Sequence, residues 1–161
     1  MAGHDLSVWR KILFHIARVQ LKCQVFSMHT TSLLLFEDDD LDARLITSAL
    51  AKAAPQIQVR RAHDGTSGLK IMEEDRPGMV LLDLSMPGLS GFQVLETIRE
   101  DDILARTPVI ICSNSDAQSD IDESYSRQAN AYVTKPDSGA GYASLAEALA
   151  GFWIETVQLP S

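Results

Sequence analysis

From residue 32 onward, short apolar runs alternate five times with segments of helical periodicity, and that alternation restricts the chain to an α/β fold built on a parallel sheet. The runs at 33–36, 57–61, 79–82, 109–112 and 131–134 read as strands. Between the first two, Leu45, Ile46, Ala49, Leu50 and Ala53 share one face of a helix that Pro55 stops. Further helices are expected over 65–74 and 91–100, with Pro87 and Gly88 marking the loop before the second of these. A helix over 118–128 has Ile121 and Tyr125 as its only large apolar residues and should be weakly tied to the core. Tyr142, Leu145, Ala146, Leu149, Phe152, Trp153 and Val157 give a last helix a strong apolar stripe. Phe152 and Trp153 fit either packing on the sheet or an exposed partner surface.

A chain of 161 residues accommodates one core of ordinary size. Its formal charge of −8 disfavours direct nucleic-acid binding or attraction to an anionic membrane. Cys23 and Cys112 stand far apart without a metal-ligand pattern, so both read as free thiols in a reducing compartment. No apolar run approaches the roughly 18 residues of a membrane span, and no secretory leader is evident, so a cytoplasmic location is expected. Within 1–27, Arg10, Lys11, Arg18 and Lys22 oppose Asp5 alone. Trp9, Ile12, Leu13, Ile16 and Val19 could line an amphipathic helix there, or the stretch is an extension ahead of a start at Met28. The expected organisation is an N-terminal extension over 1–31, helical or disordered, and one domain over 32–161.

In an open parallel sheet, ligands bind beyond the carboxyl ends of the strands. The residues arriving there are Glu37 and Asp38 from the first strand, Asp83 from the third, Ser113 from the fourth and Lys135 from the fifth. Carboxylates about 4 Å apart at an effective dielectric near 20 repel by about 4 kcal/mol per pair, so a counter-charge is required. A hard divalent cation such as Mg²⁺ supplies it through oxygen ligands, and the lysine adds a fixed positive charge. A cation, a lysine and a hydroxyl around one carboxylate form a cradle for a phosphoryl group, with Asp83 as covalent acceptor. Taken singly, each residue has an ordinary reading. The acidic run at 37–42 could simply cap a helix, Asp83 could sit in a turn, and Ser113 and Lys135 could be solvated strand-end groups. Their arrival at successive strand ends in one register is what favours a site. The histidines at 4, 15, 29 and 63 form no ligand spacing.

The segments LLLFEDDDLDARLI (33–46), VLLDLSMPGLSGFQVLETIRE (80–100), PVIICSNSD (108–116) and ANAYVTKP (129–136) resemble the response-regulator receiver domain of bacterial two-component signalling. The resemblance spans about residues 32–157 and implies a doubly wound, flavodoxin-like (βα)5 fold with strand order 2-1-3-4-5. It implies that Asp83 takes a phosphoryl group from a partner histidine kinase, and that Glu37, Asp38, Asp83 and the backbone carbonyl of Ser85 hold Mg²⁺. It further implies that Ser113 is a switch hydroxyl, Lys135 its cationic partner before a cis proline, and Tyr132 an aromatic whose rotation reports phosphorylation. Two positions depart from the pattern. Asn114 is bulkier than the usual residue and is expected to narrow access to the phosphate, and Asp137 leaves the start of the last helix less defined.

With only a short tail after residue 157, the chain reads as a stand-alone receiver without an output domain. The tail GFWIETVQLP (151–160) and the EDDDLDARLI start resemble receivers that partner bacterial phytochrome kinases, often as homodimers. Two alternatives stay open from the residues: a degenerate receiver acting as a binding scaffold, and a haloacid-dehalogenase-like phosphatase. The phosphatase would need an acid–base aspartate two residues beyond the nucleophile, where this chain has Ser85. A flavin-binding module fits less well, because 37–40 puts negative charge where a phosphate loop belongs.

Overall fold

The structure is a computed structural model that describes residues 32–155, so the readings of 1–31 and of Val157 lie outside the described residues. Five strands form one parallel sheet in the order β2-β1-β3-β4-β5, as expected. They are β1 (Ser32–Phe36), β2 (Gln58–Ala62), β3 (Met79–Leu82), β4 (Val109–Ser113) and β5 (Ala131–Thr134). The helices are α1 (Asp40–Ala53), α2 (Gly65–Glu74), α3 (Gly91–Glu100), α4 (Gln118–Ser126) and α5 (Gly139–Leu149).

β3 and β4 are buried at every position, which is why their sequences run apolar without alternation. Successive side chains leave on opposite faces and so build two cores. Leu34, Phe36, Val80, Leu82, Val109 and Ile111 pack against Met72 of α2 and Val94, Leu95 and Ile98 of α3. Leu33, Leu35, Met79, Leu81, Ile110 and Cys112 pack against Ala43, Ile46 and Leu50 of α1 and Tyr142, Ala146 and Leu149 of α5. Each fully buried Leu, Ile or Val contributes about 1.5–3 kcal/mol.

The helix starts follow from local chemistry. Asp39 caps α1 by accepting from the N–H groups of Leu41 and Asp42, both at 2.9 Å. Ser90 and Gln93 form a reciprocal capping box at the start of α3. Ser138 caps α5, so Asp137 has no part in starting it. α4 buries only Ser124, and Tyr125 is 51% exposed, in keeping with its polar sequence. The expected single helix through the C-terminal stripe is instead broken in register: α5 ends at Leu149 and continues as a π turn, Ala150–Ile154, closed by the Glu155 N–H donating to the Ala150 carbonyl. Trp153 faces the core while Phe152 is exposed, so packing on the sheet accounts for the first aromatic and not for the second.

At the amino ends of β4 and β5 the half-buried Arg99 guanidinium donates to the carbonyls of Ala105, Thr107 and Gln128 and to the side chain of Asn130. Asn130 in turn accepts the Val109 N–H at 2.8 Å. This pole of the sheet is thereby fastened on the side opposite the strand carboxyl ends.

Candidate functional site

Strand register assembles the site. β1 and β3 pair with Phe36 opposite Leu82, so the next residues, Glu37 and Asp83, emerge side by side. The Asp83 N–H donates to the Phe36 carbonyl at 3.1 Å and holds that alignment. β4 and β5 pair with Ser113 opposite Thr134, and the Lys135 N–H donates to the Ser113 carbonyl at 2.8 Å. Lysine, hydroxyl and carboxylates therefore meet because the strands end together. Gly91 lets α3 begin against this corner: a Cβ there would lie 2.3 Å from the Asp83 carbonyl oxygen and 2.6 Å from Leu84 Cα.

The Lys135 ammonium sits among three carboxylates, 2.6 Å from Glu37 Oε2, 2.8 Å from Asp83 Oδ2 and 2.9 Å from Asp42 Oδ2. Burial works against its charge, but hydrogen bonds to Asp83, Glu37 and Asp42 outweigh that and hold it well above the ordinary lysine range. Burial pushes the Glu37 carboxyl up, against the pull of the same lysine. Burial also acts on Asp42, yet Lys135 and Tyr142, helped by Asn114, hold it below the usual carboxylate range. Asp83 Oδ1 accepts the Ser85 N–H at 3.1 Å, so Ser85 stands beside the acceptor oxygen through its backbone.

Oxygens of Glu37, Asp38 and Asp83 lie within 4.8 Å of one another, with Asp38 exposed and the other two buried. A set of three carboxylate oxygens with one side open to water fits a hard divalent cation that keeps some of its own waters. Arg61 of β2 braces the loop from outside, donating to the carbonyls of Glu37 and Asp38 at 2.9 and 3.0 Å and to Asp40 Oδ1 at 2.7 Å.

Ser113 is fully buried and its Oγ accepts the Ser115 N–H at 3.3 Å. Tyr132 is half-buried with its ring turned inward, donating to the Ser115 carbonyl at 2.8 Å. Burial raises its phenol despite Ser113 and Ser115 nearby. The Lys135–Pro136 peptide, expected to be cis, is trans, as are all described peptide bonds. An X–Pro bond prefers trans by about 0.5–1 kcal/mol.

Residues 33–144 match the response regulator receiver domain, a span that contains the whole acidic corner and the lysine. This chain belongs to the response regulator receiver family. A receiver acts in two-component signalling as a phosphoacceptor served by a histidine kinase, and is generally not an enzyme. Response regulator Rcp1 of Synechocystis is 29% identical over 136 residues, covering 80% of this receiver and 92% of Rcp1. The crystal structure of the Mn²⁺-bound form of Rcp1 aligns with a TM-score of 0.76 over 81% of this chain and 99% of that one. The phosphorylated cyanobacterial phytochrome response regulator RcpA is 33% identical with a TM-score of 0.77, covering 81% of this chain and 99% of RcpA. Response regulator RPA3017, in red light signalling of R. palustris, is 34% identical with a TM-score of 0.75, covering 81% and 98%. Receivers bind Mg²⁺ or Mn²⁺ at an acidic pocket, and the carboxylates here provide one. The phosphatase alternative lacks its acid–base group, since what reaches Asp83 from position 85 is a backbone N–H.

Two helix residues beside this receiver's site were not singled out from the sequence. Asp42 was visible only as part of an acidic helix start, and Tyr142 only as part of an apolar stripe. In the structure the Tyr142 hydroxyl donates to Asp42 Oδ1 at 3.0 Å while Asp42 Oδ2 holds Lys135. The signal for Asp42 was its place in the acidic run that leads from the Glu37–Asp38 pair into the first turn of α1.

Proposed function

We propose that this receiver, a domain over 32–161 preceded by an extension over 1–31, accepts a phosphoryl group on Asp83 from the phosphohistidine of a sensor kinase in the cytoplasm. A carboxylate oxygen of Asp83 attacks phosphorus, the P–N bond breaks, and its electron pair stays on the kinase imidazole nitrogen. Glu37, Asp38, Asp83 and the Ser85 carbonyl are the groups to hold Mg²⁺. When bound, the cation offsets the carboxylates' mutual repulsion and the charge on the phosphoryl oxygens. Lys135 donates to the phosphoryl group, and the Ser113 hydroxyl turns toward it. Tyr132 repacks in response, which converts a local dianion into a change of surface. These same groups serve self-catalysed transfer from small donors and the later hydrolysis of the acyl phosphate.

The observation that carries this reading is the buried Lys135 ammonium 2.8 Å from Asp83, beside carboxylates whose oxygens cluster within 4.8 Å. Similarity to RcpA and Rcp1 supports a bacterial phytochrome as the kinase. The 57% exposure of Phe152, edge-on to Trp153 at 5.3 Å, supports a homodimer or partner contact on the last helix. The test is incubation with acetyl phosphate, with and without Mg²⁺, read by intact mass beside Asp83→Asn. A single Mg²⁺-dependent adduct absent from the folded variant is the expected result; an adduct that persists in Asp83→Asn overturns the acceptor assignment.

A further inference from the structure

We propose that Asp42 and Tyr142 are positioning residues that carry the state of the acceptor to the last helix, along a line that does not pass through Tyr132. The proposal rests on the reading that Asp83 is phosphorylated.

The line is a continuous run of hydrogen bonds: Asp83 Oδ2 to Lys135 Nζ at 2.8 Å, Lys135 Nζ to Asp42 Oδ2 at 2.9 Å, and Asp42 Oδ1 to the Tyr142 hydroxyl at 3.0 Å. An ammonium has three protons to donate, and Glu37, Asp83 and Asp42 take all three. An acyl phosphate on Asp83 adds acceptor oxygens carrying close to two negative charges, so the lysine must redirect a donor to them. One existing partner has to yield. The side chains of Glu37 and Asp83 are 1% and 5% exposed, whereas that of Asp42 is 20% exposed and is the one water can serve when the lysine leaves. Asp42 is thus the partner that releases.

Tyr142 registers that release. It is 3% exposed, and burial, together with the Asp42 carboxylate, keeps its phenol protonated far above neutral pH. A buried hydroxyl follows its acceptor rather than lose it. The rest of the Tyr142 ring packs with Ile46, Leu50, Leu145 and Leu149 in the seam between α1 and α5, a setting that phenylalanine would fill as well. Packing accounts for the ring and leaves the hydroxyl to Asp42. About three turns on, by way of Ala146 and Leu149, the same face delivers Trp153 to the core. A shift of Tyr142 therefore reaches Trp153 along α5 and the π turn that continues it.

The test uses the full chain with Trp9→Phe, which leaves Trp153 as its one tryptophan. The protein is charged with acetyl phosphate and Mg²⁺, adducts are counted by intact mass, and the Trp153 emission change is expressed per phosphoryl group bound. Tyr142→Phe is expected to take up a single phosphoryl group and to lose most of the emission change per group; Asp42→Asn, with the tyrosine intact, is expected to lose it likewise. An undiminished change in either folded variant overturns the proposal, as does an adduct on the parent protein that leaves Trp153 emission unmoved. Failure of Tyr142→Phe alone to accept the group also overturns it, because the hydroxyl would then serve the acceptor itself. Absence of any adduct on the parent is the separate result that removes the phosphoacceptor reading.

Discussion

Lys135 Nζ lies 2.8 Å from Oδ2 of Asp83, with the two side chains 1% and 5% exposed. In the absence of a cation the lysine is the counter-charge that lets three buried or half-buried carboxylates share one corner. Lys135→Ala removes it and leaves buried negative charge unpaired, at a cost of about 3–5 kcal/mol. Urea unfolding in EDTA should show that loss, and saturating Mg²⁺ should restore part of it because it stabilises only the folded form. The variant should still accept some phosphate but lose its conformational response. An unfolding midpoint unchanged in EDTA would refute the counter-charge role.

Asp38 is the exposed member of the carboxylate cluster and makes no contact with Lys135 among the described ion pairs. Asp38→Ala should stay within about 0.5 kcal/mol of wild type in metal-free stability. Its affinity for Mn²⁺, measured by the loss of free-ion signal in electron paramagnetic resonance, should fall at least tenfold, equivalent to about 1.4 kcal/mol. Unaltered Mn²⁺ binding would remove Asp38 from the ligand set.

Gly91→Ala places a methyl 2.3 Å from the Asp83 carbonyl oxygen. Backbone cannot give way as a flexible side chain can, so α3 and the β3 loop must separate, at about 1–3 kcal/mol. Chemical denaturation measures the loss, and the rate of adduct formation should fall with it because the loop carries Asp83, the proposed acceptor. Wild-type stability in the alanine variant would contradict the close approach.

Burial pushes the Cys112 thiol from 9.0 up to about 12. Below pH 9 it is protonated in both folded and unfolded chains and contributes nothing to pH dependence. Above pH 9 the unfolded thiol ionises while the folded one does not, so stability falls as pH rises, with a slope approaching 1.4 kcal/mol per unit at about one proton difference. Between pH 9 and 10, where the tyrosine and lysine titrations of the unfolded chain are common to both proteins and cancel, Cys112→Ala should show a shallower decline of urea midpoint than wild type. Parallel curves in that window would contradict the raised thiol.

Residues delivered by strand ends were readable in order. Glu37, Asp83, Ser113 and Lys135 follow directly from short apolar runs and the residues at their carboxyl ends, because parallel register carries the alignment. Groups supplied by helices were not readable in the same way. Whether Asp42 faces Lys135 depends on how α1 lies across the sheet, and the Tyr142 hydroxyl reaches it only because α5 packs against α1. Arg61 reads as an exposed strand residue, and only the course of the acidic loop makes it a brace. The π turn after Leu149 leaves the apolar spacing of the stripe unchanged, so no pattern in the stripe announces it.

The Arg99 clamp gives the sheet a spine. Four acceptors on one guanidinium bind the end of α3, the turn before β4 and the approach to β5 like pages sewn along one edge. The opposite margin, at Asp83, is held by charge instead: Lys135 joins Glu37, Asp42 and Asp83, so a change of charge at Asp83 acts there first. The sheet thus has one end fastened by neutral acceptors and one end whose pairing depends on charge.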